Sequence, residues 1–165
     1  MIAGCGLISS WFVSDLTLNR PDATTKHIIQ AVGSSSKEKG SAFISKHAPS
    51  SKPSIYSSYA DVYNDPNVEI VYVGTPHSCH LQNALDAINA GKNVLCEKPI
   101  TINAKETEIL IKAAKGKGVF LMEGKVDQMI RSAHTNNDAK LSGHVSSLLQ
   151  MPFKKPSTLI EPSEI

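Results

Sequence analysis

The chain has 165 residues, of which 41% are hydrophobic and 19% charged, and its formal net charge is +2. This length predicts one globular domain, and the small net charge argues against the strong basic field of a nucleic-acid-binding protein. No apolar run approaches the roughly 20 residues of a membrane span, and no signal-peptide pattern opens the chain. The three widely spaced cysteines argue against a disulfide framework, so we expect a cytoplasmic protein.

Short apolar segments alternate with longer segments of helical periodicity, which is the pattern of a parallel sheet covered by helices. Strands are predicted at residues 1–3, 28–32, 70–73, 94–96 and 119–122. Helices are predicted at residues 7–18, 37–46, 81–90 and 104–115. Residues 49–58 are predicted to form a loop with a short extended piece at Ile55 and Tyr56.

Two of the predicted helices have recognisable ends. Gly91 follows the 81–90 helix where a left-handed residue would end it, and Asn103 precedes the 104–115 helix as a favourable N-cap. The apolar faces predicted for these helices are Leu81, Ala84, Leu85 and Ile88 in the first, and Thr107, Leu110, Ile111 and Ala114 in the second.

The sequence GCGLIS lies between the first predicted strand and the first predicted helix. In dinucleotide-binding folds the first glycine makes a tight turn, and the second lets the backbone approach a pyrophosphate on the helix N-terminus. Gly4 and Gly6 occupy these positions, Leu7 and Ile8 begin the helix, and Ser9 replaces the third glycine. A glycine-rich turn without a ligand is the alternative, but a position at the first strand-to-helix junction favours the dinucleotide. The preceding strand is shorter than usual.

The second predicted strand runs into the sequence AVGSSSKEK, without the acidic residue that NAD-binding sheets usually present to the ribose hydroxyls. Ser34 and Ser35 offer hydroxyl donors and Lys37 a positive charge, which suits a 2′-phosphate. The pattern therefore favours NADP as the cofactor, with NAD as the alternative. A second interpretation is a serine-rich turn that caps the following helix, which Ser36 alone could do.

The sequences VGTPHSCH and CEKP end the next two predicted strands, so their polar residues should meet at the edge of the sheet where ligands bind. His77, Cys79 and His80 lack the further ligands of a closed zinc site, and no metal is expected. Lys98 has two interpretations. It is either a functional amine at this edge or a surface lysine paired with Glu97.

Four segments of the chain together resemble the N-terminal domain of the glucose/fructose oxidoreductase and inositol dehydrogenase (Gfo/Idh/MocA) family. They are GCGLIS, YNDPNVEIVYVGTPHSCH, NALDAINAGKNVLCEKPITINAKE and GVFLMEG. The resemblance is greatest to the dihydrodiol dehydrogenases and the NADP-dependent D-xylose 1-dehydrogenases of that family. It implies an α/β domain at residues 1–124 with a Rossmann-type doubly wound parallel sheet. It also implies hydride transfer between nicotinamide and a diol, polyol or aldose hydroxyl, and a homodimer built through a second domain.

The resemblance also implies roles for individual residues. The Glu-Lys-Pro motif that ends in Pro99 should lie beside the nicotinamide, where Lys98 is the expected catalytic residue that stabilises charge on the reacting oxygen. In many members of the family the bond before this proline is cis. The residues expected to line the ribose and the nicotinamide are Thr75, Pro76, His77, His80, Glu97 and Lys98.

The resemblance stops after GVFLMEG. Residues 125–165 contain no Tyr or Trp, so the tyrosine or histidine of the family's α+β second domain has no assignable counterpart. We expect a poorly ordered tail there and, given the short first strand, a truncated, alternatively spliced or wrongly assembled chain. His134, Asp138 and His144 are weak candidates for substitute acids or bases. The leading hypothesis is an NADP-dependent oxidoreductase, and the alternatives are a nucleotide-binding remnant without turnover and a module for another nucleotide.

Overall fold

A computed structural model describes residues 1–18 and 27–124, so the predicted tail at 125–165 lies outside the described residues. Its strands are Ile2–Ala3 (β1), Ala31–Gly33 (β2), Ser54–Tyr56 (β3), Ile70–Val73 (β4), Asn93–Glu97 (β5) and Leu121–Gly124 (β6). In the described part they form one parallel sheet of order β3-β2-β1-β4-β5-β6. This is the strand order of the Rossmann fold, so the predicted fold class is confirmed.

The helices lie between these strands along the chain. They are Leu7–Leu16 (α1), Lys37–His47 (α2), Tyr59–Tyr63 (α3), His80–Asn89 (α4) and Ala104–Lys117 (α5), with a 3₁₀ turn at His77–Cys79 before α4. Asn103 caps α5 as predicted, since its Oδ1 accepts a hydrogen bond of 3.0 Å from the Glu106 N–H. Gly91, after α4, has the expected left-handed φ of 74°. α5 extends beyond its predicted end because its left-handed C-cap is Gly118, at φ 64°.

Several predicted bounds differ from the structure for physical reasons. β2 begins at Ala31 and not at Ile28. Ile28 is 71% exposed, so it lies outside the buried sheet. β6 also begins later, because the Val119 N–H bonds the Ala114 carbonyl at the end of α5. The predicted loop contains a true strand, β3, which pairs in register with β2. α3 was not predicted, since five residues are too few for a clear helical period.

Each face of the sheet buries its own apolar cluster. One cluster lies under α3, α4 and α5 and includes Val62, Val71, Val73, Ala84, Ile88 and Leu110. The other lies under α1 and α2 and includes Ile2, Phe12, Val13, Phe43, Ile44, Tyr72 and Leu95. The predicted inner faces are confirmed at Ala84, Ile88, Leu110 and Ala114. The prediction is wrong for Ile111, which is 42% exposed on the outer side of α5.

A cavity of about 410 Å³ opens at the amino edge of the sheet, where β1 is short. Its walls include Met1 and Phe12 together with Ile28, Ile70 and Leu95 from the segments around β2, β4 and β5. Because the glycine-rich turn follows β1 at the carboxyl edge, this cavity is separate from the predicted ligand site.

The amino group of Met1 is buried at this amino edge and donates a hydrogen bond of 2.9 Å to the Ile70 carbonyl. Burial lowers the pKa of this amino group from 8.0 to about 6, and the charge of Asp65 opposes that shift. Between these two pKa values the unfolded chain binds more protons than the folded chain, so stability should rise with pH.

We therefore expect the free energy of unfolding to increase from pH 6 to pH 8, with up to about 3 kcal/mol coming from the Met1 amine. Urea denaturation at a series of pH values measures this slope. The matched control is the Nα-acetylated chain, which keeps an N–H donor but no titrating charge. Burial also lowers the pKa of His27, which affects both chains, so the difference between the two curves isolates Met1. Parallel curves would contradict the prediction.

Candidate dinucleotide-binding site

The turn after β1 requires glycine at its first position. Gly4 has a φ of 96°, and its N–H donates a hydrogen bond of 3.2 Å to the Gly33 carbonyl. A Cβ added to Gly4 would lie only 2.9 Å from the Gly74 carbonyl oxygen. The turn therefore packs directly on the backbone that follows β4.

The second glycine of the turn has a different environment. Gly6 is the exposed N-cap residue of α1, its φ is −89°, and no described side chain caps this end of the helix. A Cβ on Gly6 would have only one neighbour, the Gly74 oxygen at 3.9 Å. The open space beside Gly6 and the N–H groups of the first helical turn suit a close approach by an anion.

The next three residues begin α1 and face different environments. Leu7 is 67% exposed, Ile8 is half-buried and Ser9 is completely buried. The Ser9 hydroxyl lies 3.5 Å from the Gly74 carbonyl oxygen, to which it donates. Ser9 thus packs α1 against the backbone that follows β4, while the Leu7 side chain faces solvent.

The residues after β2 are not equally accessible. Ser34 is only 3% exposed, and its hydroxyl has no hydrogen-bond partner among the described residues. Ser35 and Lys37 are exposed. Ser36 accepts a hydrogen bond of 3.2 Å from the Lys39 N–H, so the capping interpretation is confirmed for Ser36.

Lys39 is a candidate ligand residue that the sequence prediction missed. Burial raises the pKa of the Cys5 thiol in the glycine-rich turn, and the charge of Lys39 opposes this rise. This effect on Cys5 is the observation that makes the exposed Lys39 a candidate. The sequence signal for Lys39 was a basic residue at the third position of α2. The sequence does not show which lysine of a helical turn faces a neighbouring loop, because that depends on how the helix packs.

The segment after β4 turns one side chain inward and exposes the next two residues. Thr75 is 6% exposed, and its Oγ1 accepts a hydrogen bond of 3.0 Å from the Asn83 amide of α4. Pro76 and His77 are exposed at the carboxyl edge of the sheet. They are the members of this segment that a ligand at the edge could contact.

His80 is placed differently from His77. It is completely buried, and its ring nitrogens lie 2.8 Å from the Pro99 carbonyl oxygen and 2.9 Å from the Thr75 carbonyl oxygen. Both ring nitrogens therefore contact main-chain atoms of the protein itself.

Glu97 is a buried carboxylate at the end of β5. It is 3% exposed, and its Oε1 accepts a hydrogen bond of 2.8 Å from the Tyr72 hydroxyl. Burial raises the pKa of Tyr72 far above its ordinary value, and the neighbouring Glu97 charge adds to the effect, so the phenol remains a donor. Glu97 therefore lies in the interior and not at the surface, where the sequence interpretation had placed its pairing with Lys98.

Lys98 follows at the surface. Its side chain is exposed, and its N–H donates a hydrogen bond of 3.3 Å to Glu97 Oε2. The Lys98–Pro99 peptide bond is cis. Lys98 thus projects from a short turn whose first residue is anchored in the core.

Residues 1–18 and 27–124 also bear on a metal site, a disulfide and a membrane span. No group of three or more His, Cys, Asp or Glu side chains there could hold a metal ion. Cys5, Cys79 and Cys96 are free thiols. No helix in the same ranges is long and apolar enough to cross a membrane.

The structure brings the predicted segments to one edge of the sheet. The glycine-rich turn follows β1, and the segments of Ser35, His77 and Lys98 follow β2, β4 and β5. The strand order reverses between β1 and β4, which is where doubly wound sheets open a ligand crevice. Fold and site together define a dinucleotide-binding Rossmann domain.

Comparison with known families shows to which family of Rossmann proteins the domain belongs. Residues 1–125 match the family model of the Gfo/Idh/MocA oxidoreductases, described as an oxidoreductase family with an NAD-binding Rossmann fold. The chain therefore belongs to this family, as its resemblance predicted.

The chain is similar to two kinds of characterised dehydrogenase. It is 44% identical over 126 residues to D-xylose 1-dehydrogenase (NADP(+)) of Hypocrea jecorina, covering 74% of this chain and 32% of that protein. It is 39% identical over 122 residues to trans-1,2-dihydrobenzene-1,2-diol dehydrogenase of Sus scrofa, covering 74% and 35%. The chain thus spans about a third of the length of these relatives.

Solved structures show the same fold. A 3-ketoreductase from Actinomadura kijaniata in complex with NADP and TDP-benzene has a TM-score of 0.63 and 25% identity, covering 74% of this chain and 35% of that one. A structure described as an oxidoreductase from Bacillus subtilis has a TM-score of 0.61 and 33% identity, covering 74% and 33%. Both likenesses are confined to about a third of the longer proteins.

Proposed function

We propose that this chain is the cofactor-binding part of an NADP-dependent oxidoreductase that transfers hydride between nicotinamide and a diol, polyol or aldose hydroxyl. The observation that carries the proposal is the convergence of the glycine-rich turn, the His77 segment and Lys98 at the carboxyl edge of the sheet. The activities of the D-xylose and dihydrodiol dehydrogenases, which this chain resembles, support the substrate class.

The residues present fit a bound dinucleotide. Gly4 brings the turn against the Gly74 backbone, and the space beside Gly6 leaves the start of α1 open to a pyrophosphate. Pro76 and His77 are exposed along the edge that leads toward Lys98. We assign these residues to the two halves of the cofactor.

The preference for NADP over NAD is assigned to the turn after β2. Ser35 and Lys37 are exposed there, and Lys39 adds a charge that reaches the glycine-rich turn. Glu38 lies between the two lysines, so this first turn of α2 has a net charge of +1. A 2′-phosphate on the adenosine ribose would meet cationic and hydroxyl donors.

Lys98 is the residue that we assign to the chemistry. The bound nicotinamide would supply the hydride acceptor or donor. Glu97 holds the main-chain N–H of Lys98 at this edge. The exposed Lys98 ammonium would bind the substrate oxygen and stabilise negative charge on it.

A titration with NADPH and with NADH, followed by fluorescence, tests the cofactor assignment. We expect NADPH to bind at least about 10-fold more tightly, since a charge-assisted phosphate contact contributes about 1.5 to 3 kcal/mol. Lys39→Glu should remove this preference, because it places a negative charge beside the 2′-phosphate.

The matched control is Lys46→Glu, which makes the same charge change in the exposed last turn of α2. It should leave the ratio of the two affinities unchanged. Equal binding of NADPH and NADH by the unmodified chain would contradict the NADP assignment, and binding of neither would contradict the function as a whole.

The second candidate function is dinucleotide binding without turnover. Adding D-xylose or a trans-dihydrodiol to the NADP complex tests the second candidate, since NADPH formation by this chain would exclude it. The localisation in the cytoplasm, the homodimer and the domain boundary at residue 124 stay predictions.

A further inference from the structure

We propose that His80 is a positioning residue that joins the two loops of the candidate site and holds the turn of Lys98 in place. It would act through main-chain atoms and would not touch the cofactor or the substrate. The consequence for ligand binding rests on the proposed function, but the contacts themselves do not.

The His80 ring bridges two loops that follow different strands. The Thr75 carbonyl belongs to the loop after β4, and the Pro99 carbonyl belongs to the loop after β5. The two ring nitrogens contact these oxygens at 2.9 Å and 2.8 Å. Carbonyl oxygens only accept hydrogen bonds, so a ring with one N–H donates to one of these oxygens and a ring with two N–H groups donates to both. In either case the rigid ring lies between the two loops and limits how closely they approach.

Neighbouring side chains fix the loop after β4 from the same side. Asn83 lies one turn beyond His80 on the same face of α4, and its amide donates to the Thr75 hydroxyl at 3.0 Å. The Tyr63 hydroxyl donates in turn to the Asn83 side-chain oxygen at 3.3 Å. The first turns of α4 therefore hold Thr75 by its main chain and by its side chain.

The loop after β5 depends on His80 for one of its attachments to the core. The Ile100 N–H is held by Glu123 Oε1 of β6 at 2.8 Å, and the Lys98 N–H by Glu97. The Pro99 carbonyl lies between these two amides and is held by His80. Without the ring, the loop of Lys98 loses this contact with the loop of His77, while the pairing of β4 with β5 remains.

Amide hydrogen exchange in His80→Gln tests this role without any ligand. The probes are the N–H groups of Cys79 and Ile100, one in each loop, which are bonded to the Pro76 carbonyl and to Glu123. We expect both to exchange about 10-fold faster, the effect of losing roughly one net hydrogen bond. The strand amides of Tyr72 and Val94, which are bonded within the sheet, should change less than about 2-fold.

Two results would overturn the proposal. Equal acceleration at the loop and strand amides would show a general loss of stability, and unchanged loop exchange would show that the ring does not hold the loops. His47→Gln, which replaces the histidine that packs on Phe43 of α2, is the control and should leave all four amides unchanged.

A second variant keeps the test decisive if glutamine disturbs folding. His80→Ala leaves a space of imidazole size, and adding free imidazole should restore slow exchange at both loop amides. Failure of imidazole to restore it would count against the proposal.

The functional consequence is measured separately with NADPH. We expect His80→Gln to weaken NADPH binding by about 10-fold, because the free protein must then order the two loops on binding. If the unmodified chain binds no NADPH, the proposed function fails, while the exchange experiment still decides the role of His80. If NADPH binds both proteins equally, the positioning role for the ligand site is wrong.

Discussion

Gly4→Ala is expected to lower the free energy of unfolding by about 3 kcal/mol and to abolish detectable NADPH binding. The left-handed φ of 96° accounts for about 1 to 3 kcal/mol of this loss. The remainder comes from the new methyl group, which would lie 2.9 Å from the Gly74 oxygen and 3.2 Å from Thr75 Cγ2. Urea denaturation and NADPH fluorescence measure the two effects.

Gly91 and Gly6 separate the effect of the left-handed φ at Gly4 from the effect of the added methyl group. Gly91 has a φ of 74° but nothing within 4 Å of an added Cβ, so Gly91→Ala should lose only about 1 kcal/mol. Gly6 has an ordinary φ and space for a methyl group. Gly6→Ala should keep its stability within about 1 kcal/mol but still lose NADPH affinity, because the methyl group occupies the space assigned to the pyrophosphate. Normal NADPH binding by Gly6→Ala would refute this assignment.

Gly74→Ala should have the largest effect on stability, a loss of about 4 kcal/mol. The new Cβ would overlap the Ser9 hydroxyl and lie 2.8 Å from Tyr72 Cε1. The tyrosine ring has little freedom to yield, because it stacks on Phe12 at a centroid distance of 3.9 Å and donates to Glu97. The loss of packing should therefore affect both α1 and the turn of Lys98.

A double mutant separates the two contacts of Gly74. Adding Ser9→Gly to Gly74→Ala removes the overlap with the hydroxyl but leaves the contact with Tyr72, so only part of the stability should return. Gly116→Ala is the control for the glycine-to-alanine change. Gly116 lies in α5 with nothing near an added Cβ, so this variant should gain about 0.5 to 1 kcal/mol. A stability loss below about 1 kcal/mol in Gly74→Ala would show that helix and strand are less tightly packed than the structure indicates.

Much of the fold could be predicted from local pattern. Apolar runs and helical periods located five of the six strands and four of the five helices of the described part. The cap at Asn103 and the left-handed end at Gly91 follow from residue type alone. α3 was missed because five residues are too few to establish a helical period. β3 was predicted only as a short extended piece at Ile55 and Tyr56 within a loop.

The candidate site was predictable only in outline. The sequence by itself determined that four polar segments each follow a predicted strand: the glycine-rich turn, the serine and lysine turn, and the segments of His77 and Lys98. Their likeness to one family predicted the chemistry. These signals are local, since each depends on a few consecutive residues.

Only the tertiary structure decided which groups each side chain contacts. It buried Glu97 against Tyr72, placed Lys39 within electrostatic reach of the glycine-rich turn, and enclosed His80 between two loops. The physical reason is that these contacts join residues from different elements. His80 and Pro99 are 19 positions apart, and Tyr72 and Glu97 are 25, so strand pairing and helix packing bring them together and no local pattern records it.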